Sequence, residues 1–197
     1  MAGSALSQAA LDATESQAMD PIVQAALRKW PNVPHCHGWL ALDARGDWYM
    51  RDDRAQAAGP FPQVKGSVIR HDKLREFIHR NYARDAQGAA YFQNGPQRVY
   101  VDLEAAPYVW RVGGAQEDGP VTAHTGEQAQ VLQAWLDEQG RLFLWCRLAS
   151  VGEALGIVHT LDMTAAADAV EAGLWAPQEC RFAEMPRRFG YVLRPRA

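Results

Sequence analysis

Residues 37–53, HGWLALDARGDWYMRDD, decide how the chain is read. Apolar and polar residues alternate on both sides of Ala44-Arg45-Gly46-Asp47, and a period of two sends successive side chains to opposite faces of a strand. The Gly-containing break supplies turn chemistry, so the stretch reads as a β-hairpin. Leu40 and Leu42 then share a core face with Trp48 and Met50. His35, His37, Trp39 and Ala41 share the other face, joined by Tyr49 and Arg51 if the turn sets that register. That mixture of imidazole, aromatic ring and guanidinium suits a ligand or partner surface, unless the preceding helix covers it.

The pattern repeats outward from the hairpin. AAYFQN and QRVYVDL flank Asn94-Gly95-Pro96; APYVWRV, VTAH, QVLQAWL, RLFLWCRL and EALGIVHTL read as further strands. RLFLWCRL is apolar on both faces, as a doubly buried strand is. Three helices are expected. In the first, Asp20 caps, Pro21 opens and Pro31 stops, with Ile22, Val23, Ala26, Leu27 and Trp30 inward. The second spans 67–85, with Leu74, Phe77, Ile78 and Tyr82 as its stripe. The third spans 162–175, with Met163, Ala166, Ala167, Val170 and Leu174 inward. Residues 52–69 read as a long loop.

The expected class is α+β, of mostly antiparallel β-hairpins with three helices in two small packed subdomains. Residues 1–18 are expected to be a disordered tail, 19–112 an N-terminal α+β subdomain, and 113–197 a β-rich C-terminal subdomain with one helix. The Gly-rich stretch 113–120 marks the expected boundary.

Composition narrows the function. The chain has 197 residues, 48% hydrophobic and 22% charged, with a net charge of −3. No global positive field draws it to nucleic acid or an anionic membrane. Cys36, Cys146 and Cys180 are odd in number and far apart, which disfavours a disulfide framework and points to a reducing cytoplasm. No apolar run reaches membrane-spanning length, and the N-terminus lacks the features of a secretory signal. Phosphate-loop, dinucleotide-loop, HExxH, GxSxG and paired CxxC motifs are absent.

Four constellations remain as candidates. His35, His37, Trp39, Tyr49 and Arg51 form a candidate ligand-binding face. His35 and His37 alone are a weak metal pair: alternate strand positions share a face, but zinc needs three or four ligands. Lys73, Arg80 and Arg84, on one flank of the second helix, could hold an anion, although Asp72 and Glu76 can neutralise them locally. Arg187, Arg188, Arg194 and Arg196, interleaved with Phe189 and Tyr191, could contact single-stranded nucleic acid; the alternative is a tail folded back on the domain. His124 and His159, each before a Thr, read as structural, and Cys146 as an inert core thiol.

GDWYM, SVIRHDKLREFI, RDAQGAAYFQNGPQRVYVDLEAAPYV and EALGIVHTLDMTAAADAV occur in that order. In this the chain resembles a widespread proteobacterial family known only as a domain of unknown function. The resemblance spans roughly residues 38–172 and rests on the order of several weak motifs. Asn94-Gly95-Pro96-Gln97 departs from the Thr-Pro and acid usual in the family's middle hairpin. The resemblance implies a cytoplasmic protein of two small β-rich α+β halves and no established activity, so no residue role is carried over.

The leading expectation is a non-catalytic cytoplasmic protein that binds a small molecule or protein partner, without a cofactor, membrane or nucleic acid. Two other readings stay open: a metal-dependent hydrolase using His35 and His37, and a nucleic-acid accessory protein using the Arg-rich tail.

Overall fold

The computed structural model describes residues 20–113 and 120–197. The expected tail over 1–18 and most of the Gly-rich stretch lie outside these residues. Twelve strands and five α-helices are present among the described residues: α1 (Pro21–Lys29), β1 (Cys36–Leu42), β2 (Trp48–Met50), α2 (Asp53–Ala58), β3 (Ser67–Val68), α3 (Asp72–Arg80), β4 (Tyr82–Arg84), β5 (Ala90–Asn94), β6 (Gln97–Leu103), β7 (Tyr108–Val112), β8 (Val121–Ala123), β9 (Gln128–Leu136), β10 (Leu142–Leu148), β11 (Gly152–Val158), α4 (Met163–Glu171), β12 (Gln178–Glu179) and α5 (Met185–Phe189).

The first six strands form one sheet in the order β3-β2-β1-β6-β5-β4, and the last six form the second. In the second sheet β9 pairs with β10 as well as β8, and β11 pairs with β7. The ring β7-β8-β9-β10-β11 therefore closes into a five-stranded barrel, with β12 added to β9. Closure removes sheet edges that would otherwise present unpaired backbone groups. β7 lies before residue 113 in the chain yet belongs to the barrel.

The α+β class holds, but the expected three helices become five. α2 falls in the segment read as loop. Asp52 caps it by accepting the backbone N–H of Ala55, and six residues are too few to show an apolar stripe. α5 is shorter still, opened by Pro186 and closed by Gly190 in the left-handed conformation. The second expected helix is shorter than 67–85, because Ser67–Val68 and Tyr82–Arg84 pair as strands.

The hairpin register is the expected one: Leu40 faces Met50, Ala41 faces Tyr49 and Leu42 faces Trp48. β1 and β6 run parallel, with an irregularity between Cys36 and Leu40 where Gly38 takes a φ of 79°. One apolar core spans both sheets, from Leu40 and Trp48 through Tyr108 and Trp110 to Phe143 and Leu155. Not every expected core residue joins it. Ile22 is exposed on the outer side of α1, Trp30 and Leu174 are exposed because they fall beyond the ends of α1 and α4, and Met50 is exposed at the end of β2. On the inner side of α1, Val23 packs with Ala83 and Tyr91.

A cleft of three histidines between the sheet and the barrel

The turn of the first hairpin, the helix α3 and the open end of the barrel meet around a cleft of about 430 Å³. That is within the range of small-molecule sites. Each wall follows from local chemistry. Gly46, with a φ of 81°, lets the hairpin turn approach the barrel; a Cβ there would sit 3.6 Å from the Cβ of His124. Asp43 secures the same turn by accepting the backbone N–H groups of Arg45 and Asp47. α3 is capped by His71, whose Nδ1 accepts the N–H of Leu74, and it brings His79 in on its last turn.

Three imidazoles line the cleft: His79 from α3, His124 from the turn after β8, and His159 from the end of β11. In each, one ring nitrogen is committed as an acceptor. Trp48 Nε1–H donates to His79 Nε2 at 2.9 Å. The Val109 N–H donates to His124 Nδ1 at 3.3 Å, and the Leu161 N–H to His159 Nδ1 at 3.0 Å. A neutral imidazole with one nitrogen accepting carries its proton on the other. The proton therefore sits on Nδ1 of His79 and on Nε2 of His124.

The environment keeps two of these rings neutral. Burial, and then the nearby Arg75 guanidinium, push His79 down to about 4. Burial, and then His79, push His124 down to about 3. The His124 ring is enclosed by aromatic neighbours, with Tyr82 at 5.4 Å, Tyr108 at 5.7 Å, Trp48 at 5.8 Å and His79 at 5.7 Å between centroids. Its Nε2 is buried and makes no hydrogen bond. Arg45, Arg75 and Arg111 line the cleft together with Asp47, Asp72 and Glu76. Arg75 is paired with Asp72 at 2.6 Å, and Arg111 makes two bonds to Asp162 at 2.5 and 3.0 Å. A neighbouring depression shares Asp47 and Arg75 with the cleft and reaches Tyr49.

A larger groove of about 1100 Å³ runs between β9 and α4. Among the described residues its walls combine small or apolar side chains, such as Val131, Ala165 and Ala169, with Asp168 and the amides of Gln130, Gln133 and Gln178.

The sequence-derived candidates are dispersed. His37 stacks on Tyr100 at 4.6 Å and His35 meets the same ring edge-on at 5.9 Å. Trp39 is exposed, and α1 packs beyond it on Tyr91 rather than over it. Tyr49 donates its hydroxyl to Asp43. Arg51 is buried, bonded to the carbonyls of Val64 and Gly59 and paired with Asp102 at 3.5 Å. Among the described residues no three His, Cys, Asp or Glu side chains are grouped to hold a metal ion.

Arg84 stands on β4, off the flank shared by Lys73 and Arg80, and donates to the Glu153 carbonyl. Arg80 pairs with Asp20 at 3.4 Å. The basic tail folds back. Arg188 lies over Trp135, Arg196 pairs with Asp102 at 2.9 Å, and Leu193 accepts the N–H of Leu103.

The histidine cleft escaped the sequence reading because its residues come from three distant segments. The available signal was weak: His124 and His159 each stand at the end of a strand, where a side chain can turn back to bond the backbone.

No curated protein matches the chain. Two solved structures are similar to it. A DUF1285 family protein from Silicibacter pomeroyi DSS-3 has 14% identity and a TM-score of 0.48, with 80% of this chain and 82% of that chain covered. A DUF1285 family protein from Shewanella baltica OS155 has 15% identity and a TM-score of 0.44, with 66% and 91% covered. The family described as "Protein of unknown function (DUF2946)" matches residues 19–196, and the chain belongs to that uncharacterised family.

Proposed function

We propose that the protein is a non-catalytic, cytoplasmic ligand-binding protein whose ligand sits in the cleft of His79, His124 and His159. The observation that carries the reading is the cleft itself, about 430 Å³ and lined by His79, His124 and His159 with Arg45, Asp47 and Glu76 beside them. Among the described residues lining the cleft there is no Ser, Thr, Cys, Lys or Tyr to act as a nucleophile. His79 and His124 stay neutral at pH 7 with one lone pair already engaged, which suits holding a ligand better than moving protons. Three free thiols, at Cys36, Cys146 and Cys180, support a reducing compartment.

A small-molecule fragment library, screened by backbone-amide NMR on the full chain, tests this. Binders are expected to shift Gly46, Val109 and His124 together. A screen whose hits all map elsewhere, or which gives no hits, overturns the reading.

A further inference from the structure

We infer that the groove between β9 and α4 docks an extended, basic segment of a partner protein, which adds as a strand to the free edge of β9. Among the described residues this groove shares no lining residue with the histidine cleft, so the two surfaces stand or fall separately.

β9 is covered only at its ends. β8 pairs with it at Gln128 and Ala129, and β12 pairs with it at Trp135 and Leu136. Between them residues 130–134 run beside β10, with a bulge at Leu132. On their other side, among the described residues, no strand pairs with them. Strand edges are ordinarily protected by a charge or a proline. Gln130-Val131-Leu132-Gln133-Ala134 has neither. At about 3.3 Å per residue this edge is about 16 Å long, enough for an added strand of about five residues. Main-chain hydrogen bonds give such an addition its affinity.

The opposite wall leaves space for it. Ala165 and Ala169 of α4, and Ala172 just after it, are small, and the groove holds about 1100 Å³. Charge then selects the occupant. Asp168 lines the groove, Glu171 follows one turn later on α4, and Glu179 stands on β12. All three are exposed, and none makes an ion pair among the described residues. No Lys or Arg is among the described lining residues. A strand alternating Lys with an apolar residue carries its charges on one face and its apolar groups on the other. That matches carboxylates standing beside alanines.

The test uses nitrogen-15-labelled full-length protein and three capped pentapeptides: Lys-Val-Lys-Val-Lys, Glu-Val-Glu-Val-Glu, and the lysine peptide with its backbone nitrogens methylated. The lysine peptide is expected to shift the amides within residues 130–134 that face away from β10 and to slow their hydrogen exchange. The other two peptides should leave them unchanged. Asp168→Asn, at an exposed position, should weaken the lysine peptide about two- to fivefold, as loss of one exposed charge pair implies. Equal binding of the methylated peptide would refute strand addition, and equal binding of the glutamate peptide would refute the charge selection. No binding of any peptide overturns the proposal. So do two other results: slow exchange of these amides before any peptide is added, which assigns the edge to the chain itself, and shifts that grow with protein concentration alone, which assign it to a second copy.

Discussion

The indole N–H of Trp48 donates to Nε2 of His79 at 2.9 Å, tying the first hairpin to the helix that walls the cleft. Trp48 is fully buried, so its N–H has no water to turn to. His79→Leu should therefore lower the stability of the fold by about 1–3 kcal/mol, measured by urea denaturation, as expected for an orphaned buried donor. His79→Gln, whose side-chain carbonyl can accept the same bond, should recover part of that loss. Equal losses in the two variants would mean that the bond is not what His79 contributes.

Acid should loosen the same region. His79 is held down to about 4 and His124 to about 3, chiefly by burial, while both titrate near 6.5 when unfolded. Between those values the unfolded chain binds more protons, so stability is fully present above pH 6.5 and is lost as the pH falls toward 4 and then 3. Asp43 and Asp162 are held below the ordinary carboxylate value: at Asp43 the hydrogen bonds from Lys65 and the turn amides overcome the opposing effect of burial, and at Asp162 the Arg111 hydrogen bond does. His37 is also lowered, by burial and then by His35, and adds to the same trend. Urea midpoints at pH 7, 5.5 and 4.5 should fall steadily, and less steeply in His79→Gln. An identical slope in the variant would contradict this assignment.

The hairpin register was legible in the sequence because period-two alternation fixes it locally, and Leu42 does face Trp48. Closure of the barrel was not. It depends on β7 pairing with β11, which starts forty residues after β7 ends, and no local pattern announces a parallel pair. Arg51 was placed on a ligand face by its parity, yet it is buried. Its partners are carbonyls of a loop and a carboxylate on β6, all set by tertiary structure. The cleft is the same case: each histidine looks solitary in its own segment, and only the meeting of sheet and barrel makes them neighbours.

Arg51 organises the segment after the hairpin. It is bonded to Val64 and Gly59, and it lies beside Asp102, itself buried and shared with Arg196. Arg51→Ala removes one partner of a buried charge and should cost about 3–5 kcal/mol in urea denaturation. Arg196 is more than half exposed, so Arg196→Ala should cost less than about 1 kcal/mol. A reversed order would mean that the C-terminal arginine, not Arg51, neutralises Asp102.

Gly156 tests the barrel itself. It lies on β11 opposite Tyr108 of β7, at the parallel pairing that closes the ring. A Cβ there would clash with Trp110 Nε1 and sit 2.7 Å from the Tyr108 carbonyl oxygen. Neither neighbour can retreat easily: the indole N–H already donates to the Leu144 carbonyl at 2.9 Å, and Trp110 is fully buried. Its φ lies outside the left-handed region, so the demand for glycine is steric rather than conformational. Gly156→Ala should destabilise by about 1–3 kcal/mol, the usual cost of overpacking, and should shift tryptophan fluorescence as Trp110 is displaced. Gly152→Ala, on the same strand with open space around its Cβ position but a φ of 73°, separates the two causes. It should leave the fluorescence unchanged whatever its backbone strain costs. A fluorescence shift in Gly152→Ala and none in Gly156→Ala would refute the account of β11 packing against Trp110.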